Sequence, residues 1–130
     1  MRHNKSIKKL SRPSDHRKAL MKNLAIALIE RGEIKTTLPK AKVLKSYIDK
    51  MVTLAIDGSL PSRRRAIRYI PHKDTIHKLF AEIASNYGPN TKYGNKGGYT
   101  SLLKLGRRKG DGAEIALIRF KHLIPSSDKE

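Results

Sequence analysis

Between residues 20 and 29 the chain carries two parallel apolar rows, and they leave it little choice of architecture. Leu20, Leu24 and Leu28 recur every four residues, with Met21, Ala25 and Ile29 as a second row beside them. On a helix both rows fall on one side and make a wide apolar face, which has to be buried against other elements. The spacing predicts a helix from about Asp15 to Arg31. Ser14 is placed to cap it, Asp15 stands in the first turn where the helix dipole favours an anion, and Gly32 is a natural C-cap. The longest unbroken apolar run, Leu24 to Ile29, is far shorter than the about 18 residues a membrane span requires. No apolar core of a secretory signal follows the basic N-terminus.

The rest of the chain supplies what that face packs on. Glu33-Ile34-Lys35-Thr36-Thr37 is short, β-branched and alternating, and reads as a strand. Pro39 suits the first turn of a second helix. That helix runs to about Ile56, with Val43, Leu44, Tyr47, Ile48, Met51, Val52 and Ala55 inward and Asp57-Gly58 as its stop. Ser59-Leu60-Pro61 opens a third helix that must end before Pro71, with Ile67 and Ile70 expected to turn inward. Asp74 is expected to cap a fourth helix, lined by Ile76, Leu79, Phe80 and Ile83. Residues 86–98 read as a loop. Two strands, about Tyr99–Leu105 and Ala113–Lys121, flank a turn whose Gly110-Asp111-Gly112 is a hairpin signal. The expected fold is α+β: about four helices packed on a small three-stranded sheet, with a C-terminal β-hairpin and a basic N-terminal arm. Residues 1–13 are the arm, 14–123 one domain and 124–130 a polar tail.

Charge works against compactness. The 29 Lys and Arg against 11 Asp and Glu leave +18 on 130 residues, and such a charge repels itself in a folded chain. High net charge with few aromatics is also the composition of disorder, but here the apolar residues are periodic rather than sparse. Absence of cysteine excludes disulfides and thiolate metal sites. The natural remedy is a polyanionic partner.

The positive charge is grouped. Residues 1–22 hold eight Lys and Arg with one acid. Lys35, Lys40, Lys42 and Lys45 follow without an acid between them. Arg64, Arg65 and Arg68 share one side of the third helix. Lys104, Arg107, Arg108 and Lys109 crowd the hairpin. One such run is usually a solvated face, yet solubility alone is served by mixed signs. Phosphate neutralisation with counterion release accounts for all of them together. No zinc-finger spacing, basic zipper or RNP aromatic motif selects a known DNA or RNA module. Charge spread over many faces, plus an arm unable to fold alone, suits folded RNA better than one duplex groove. A nucleoid-type DNA-binding protein and an RNA-modifying enzyme are the rival readings.

Chemistry beyond binding finds no support. His3, His16, His72, His77 and His122 make no ligand pair at metal spacing. The acids are scattered among helix starts and turns, and Gly94-Asn95-Lys96-Gly97-Gly98 is neither a P-loop nor a dinucleotide fingerprint. No enzyme activity, cofactor, metal or small-molecule substrate is expected.

Several motifs in order carry a resemblance. Met1-Arg2-His3-x-Lys5, Leu10-Ser-Arg12-Pro-Ser-Asp-His16-Arg17-Lys-Ala19, Asn23, Ile34-Lys-Thr36-Thr37-Leu-Pro-Lys40-Ala41-Lys42, Thr53-Leu54-Ala55, Gly97-Gly98-Tyr99-Thr100 and Lys104-x-Gly106-x-Arg108-x-Gly110-Asp111-x-Ala113 resemble the bacterial large-subunit ribosomal protein L-seventeen family. The resemblance spans residues 1 to about 120. It implies a non-enzymatic α+β constituent of the large ribosomal subunit in a bacterial cytoplasm. Its partners would be large-subunit rRNA and neighbouring ribosomal proteins near the polypeptide exit region, with no membrane involved. It carries rRNA contact to Arg2, His3, Lys5, Lys8, Lys9, Arg12, His16 and Arg17, then to Lys35, Thr36, Thr37, Lys40, Lys42, Tyr99, Arg107 and Arg108. Arg64, Arg68 and Lys109 join them from the charge grouping. Lys and Arg would meet phosphates, Thr36 and Thr37 would donate to phosphate or 2′-OH groups, and Tyr99 would stack.

Overall fold

A computed structural model describes residues 14–88 and 98–123, the side chains of Ser14 and Asp15 excepted. The expected arm, the polar tail and the cap at Ser14 lie outside what is described. The elements are α1 (Ser14–Arg31), β1 (Glu33–Thr37), α2 (Leu38–Asp57), α3 (Leu60–Tyr69), α4 (Lys73–Lys78), β2 (Thr100–Arg107) and β3 (Glu114–Phe120). The fold is α+β, as expected. The sheet is antiparallel in the order β1-β3-β2, so the last strand in sequence is the central one in space.

Register decides which residues share a face. Ile34 and Leu102 both oppose Ile118, and Thr100 opposes Phe120. Alternation therefore points Ile34, Ala116, Ile118 and Phe120 to one side, where all four are buried. Lys35 and Leu103 both oppose Leu117 on the other side. Leu117 is buried there although Lys35 and Leu103 are exposed, because a central-strand side chain is covered by its two cross-strand neighbours. The strand β2 runs to Arg107, two residues beyond the expected end. A bulge between Lys104 and Gly106 lets it continue, and Gly106 adopts the φ of +110° that a side chain would oppose.

The apolar rows pack as their spacing demands. Met21, Ala25, Leu28 and Ile29 of α1 meet Leu44, Ile48, Met51, Val52 and Ala55 of α2 in one core. Leu20, Leu24, Val43 and Tyr47 are only half-buried at its margin. Gly58 closes α2 in the left-handed conformation, donating to the Leu54 carbonyl at 3.1 Å. Of the two isoleucines expected inward on α3, Ile70 is fully buried but Ile67 is 45 % exposed. The buried stripe of α3 instead runs through Ser62 and Ala66, small residues that let the helix approach closely.

The fourth helix is not capped by Asp74, which lies in its first turn. His72 caps it, its ring accepting from the Thr75 N–H at 3.3 Å. Thr75 is fully buried, and its hydroxyl donates to Glu30 Oε1 at 2.9 Å, joining α4 to the end of α1. The run then widens into a π-helical turn, Leu79–Ile83, with the Ala84 N–H reaching back to the Leu79 carbonyl. Such insertions re-aim side chains, and here Leu79 and Ile83 both stay in the core while Phe80 is half-buried.

The chain after β3 folds back on this end of the core. The Phe120 N–H donates to the Gly32 carbonyl at 3.2 Å, and His122 Nδ1 lies 2.6 Å from the Tyr87 hydroxyl. Burial pushes the His122 imidazole below its ordinary value of 6.5. The unfolded chain then binds a proton that the folded one resists, so this contribution is complete above pH about 6.5 and is lost as pH falls through the depressed value. Thermal unfolding followed from pH 7.5 to 5 should show the wild type losing midpoint faster than His122→Asn. Parallel curves would contradict this.

Candidate nucleic-acid interface

The acids decide how much positive charge the surface keeps. Glu30 accepts from Thr75, Glu33 pairs with Arg119 at 3.2 Å, and Glu114 approaches Arg107 at 3.9 Å. Asp57 accepts from Ser59 and Ser62, and these hydroxyl hydrogen bonds hold its carboxyl below the usual range. Asp49 accepts from the Tyr99 N–H at 3.1 Å and lies 3.6 Å from Lys45 Nζ. Asp111 takes a two-point contact from Arg108, at 3.2 Å to Nε and 2.5 Å to Nη2. That hydrogen bonding, with the Ala113 N–H, lowers Asp111 to about 2 and raises Arg108. These six carboxylates are thus engaged in holding helices, strands and the hairpin turn together.

Two of the basic residues read as surface charge have internal work. Lys45 donates to the Thr100 carbonyl at 2.7 Å and to its hydroxyl at 3.2 Å, fixing the start of β2 to α2. Arg108 braces the hairpin tip through Asp111. By contrast Lys35, Lys40, Lys42, Arg64, Arg68 and Lys109 have no ion-pair partner among the described residues. Arg64 and Arg68 stand one turn apart on exposed α3, whereas the Arg63 guanidinium carbon lies over the Phe80 ring, 5.0 Å from its centroid.

The structure joins some of the sequence-derived residues and separates others. Thr37, Pro39 and Lys42 line one recess of about 490 Å³ with Ala113 and Glu114, so the start of α2 and the base of the hairpin form one surface. Thr37 stands at the N-cap of α2, but its side chain makes no capping bond. Strand alternation points Thr36 and Thr37 to opposite faces, so the two do not present one pair of donors. Tyr99 is half-buried, its ring edge-on to Tyr87 with centroids 5.2 Å apart. His16 is exposed, and Arg17 is partly buried, its Nε shielded and without a hydrogen-bond partner among the described residues. Arg2, His3, Lys5, Lys8, Lys9 and Arg12 lie outside the described residues.

One cluster escaped the sequence reading. Lys18, Ala19 and Lys22 of α1 face Tyr47 of α2 and Arg68, Tyr69 and Pro71 at the end of α3 across a cleft of about 450 Å³. The Tyr47 hydroxyl donates to the Tyr69 carbonyl at 3.0 Å, and the two rings meet edge-on at 5.8 Å. Burial, with Tyr69 nearby, pushes the Tyr47 phenol up to about 12, so it stays a donor. Tyr69 itself is 43 % exposed. The i, i+4 spacing of Lys18 and Lys22 was legible; the tyrosines, 22 residues apart, carry no local signal of meeting.

In a second cleft most of the titratable groups are engaged with neighbouring side chains or with the backbone. Glu30, Lys78, Glu82 and His122 line this cleft of about 350 Å³, but His122 is bonded to Tyr87, Glu30 to Thr75, and Lys78 to the Glu30 carbonyl at 3.0 Å. No group of three or more metal-ligating side chains gathers among the described residues, and none of the described helices is long and apolar enough to cross a membrane.

Comparison with known proteins gives a concordant result. The family model for ribosomal protein L17 matches residues 20–121. The large ribosomal subunit protein bL17 of Aliarcobacter butzleri is 48 % identical over 120 residues, which make up 92 % of this chain and 99 % of that protein.

Proposed function

The chain belongs to the ribosomal protein L17 family, and from that premise we propose that it binds and stabilises large-subunit rRNA through its basic arm and basic surface clusters. The family is one of structural, non-enzymatic ribosomal proteins of the large subunit. In this reading residues 1–13 are an arm that orders between RNA helices, 14–123 an rRNA-binding domain and 124–130 a tail. Arg2, His3, Lys5, Lys8, Lys9, Arg12, His16 and Arg17 serve the arm and the start of α1. Lys35, Lys40, Lys42, Arg64, Arg68, Arg107 and Lys109 neutralise phosphates around the domain, with Thr37 as a neutral donor. Its neighbours are other large-subunit proteins near the polypeptide exit region, in a bacterial cytoplasm.

One observation carries the reading: Glu30, Glu33, Asp49, Asp57, Asp111 and Glu114 are engaged in internal contacts, while cations on β1, α2, α3 and the hairpin have no ion-pair partner among the described residues. Cations displayed on separate elements can neutralise phosphates of several RNA helices at once, each releasing a counterion. Sedimentation of a cell extract tests it. The protein should migrate with the large subunit, stay there through a moderate salt wash, and be released by RNase but not DNase. Migration as free protein, with the small subunit, or release by DNase would overturn the proposal.

A further inference from the structure

Phosphate neutralisation calls for cations at the surface, but it does not call for an aromatic recess between them. The cleft between α1 and the end of α3 has both. Its cations, Lys18, Lys22 and Arg68, come from two helices, and none has an ion-pair partner among the described residues. No carboxylate among the described residues lines it. Its remaining walls are the rings of Tyr47, Tyr69 and Pro71 and the methyl of Ala19. The two tyrosines are set before any ligand arrives. Tyr47 is anchored by its hydroxyl to the Tyr69 backbone, and its ring abuts the Tyr69 ring at 86°. Tyr69 is therefore an exposed ring on a fixed support, and its own hydroxyl makes no hydrogen bond among the described residues. The volume of about 450 Å³ falls within the range of about 300–1,000 Å³ typical of small-molecule sites.

Three unpaired cations around a π-face suit a ligand that is anionic at one end and flat at the other. An apolar protein segment would leave the cations unanswered, and a duplex backbone would leave the rings unused. We infer that the cleft takes one unstacked nucleotide of the rRNA, its base against the Tyr69 ring and its phosphate within reach of Lys18, Lys22 and Arg68. Single-stranded RNA is held in this way by sequence-tolerant stacking on aromatic side chains beside a basic track. The inference rests on the rRNA-binding reading above and adds to it a place where one base leaves its stack.

Full-length protein titrated against deproteinised large-subunit rRNA separates the two. Tyr69→Leu should lose about 5- to 150-fold in affinity, the span measured for single stacked bases, with the salt slope unchanged because no cation is removed. Tyr69→Phe should stay within about twofold, since the ring remains and the carbonyl that anchors Tyr47 is backbone. The double variant Lys18→Gln, Lys22→Gln should weaken binding and lower the salt slope by up to about one, the value for a single phosphate. Wild-type binding with Tyr69→Leu unchanged would overturn the cleft inference alone, as would a loss in Tyr69→Phe equal to that in Tyr69→Leu. Failure of the wild type to bind would overturn the rRNA reading and the cleft with it. A second readout does not depend on affinity. A photoreactive benzoylphenylalanine at position 69, irradiated in purified large subunits, should give an adduct that RNase trims. An adduct that only protease removes would place a neighbouring protein in the cleft and overturn the inference.

Discussion

Raising salt from 50 to 200 mM should lower the affinity of the full chain for large-subunit rRNA by about three to five decades, the loss expected for roughly 6–10 phosphate contacts. The unpaired cations on the described elements supply several of these, and the arm supplies five more Lys and Arg. Each phosphate-bound cation contributes a slope of about −0.7 to −0.9 in log K against log salt. A chain lacking residues 1–13 should therefore bind with a slope shallower by about four. Its fold should survive, because the described residues between Met21 and Phe120 already build a continuous core. The measurement is a salt titration of both proteins beside their thermal midpoints. A flat dependence for the full chain, or a truncated protein that binds and enters subunits as the full one does, would sink the idea.

How far the sequence revealed the fold depends on the range of the interaction concerned. The two rows of α1, the Gly58 stop, the Pro71 boundary and the hairpin at Gly110-Asp111-Gly112 are local signals, and each stands where the spacing put it. The failures are contests between a local rule and a distant partner. Asp74 is the better cap by residue type, but His72 takes the role in a cluster whose buried Thr75 also reaches Glu30, 45 residues away. Ile67 is apolar at a position where α3 faces solvent, because the approach to α2 is made through Ser62 and Ala66. The π-helical turn at Leu79–Ile83 has no residue-type signature, and it keeps Leu79 and Ile83 buried while Phe80 is left at the margin.

The candidate interface was legible in its charge and not in the partners of each charge. Counting Lys and Arg cannot tell Lys45, held by Thr100 across 55 residues, from Lys42, which has no partner among the described residues. Nor does an aromatic beside a glycine pair announce whether its ring is free. Tyr99 packs against Tyr87, whereas Tyr69, inconspicuous at the end of an arginine-rich helix, presents its ring beside three cations.

Replacing Phe120 by alanine should cost about 3–5 kcal/mol, the range for a large aromatic removed from a close-packed core. Phe120 is fully buried at the end of the central strand, its backbone tied to Gly32 and its ring 5.8 Å from His122. The sheet, the end of α1 and the turn after β3 thus share one side chain. For a domain of this size that loss corresponds to a fall of roughly 10–20 °C in thermal midpoint. Arg64→Ala should do the reverse. An exposed side chain with no described partner changes stability by no more than about 0.5 kcal/mol, yet removing a cation that meets a phosphate lowers the salt slope by about one. Thermal scans and RNA titrations on both variants measure the separation. A stable Phe120→Ala would mean that the strand end is not a keystone of the core. An Arg64→Ala that unfolds would mean that the arginine helix is structural, and the link between unpaired charge and RNA would lose its basis there.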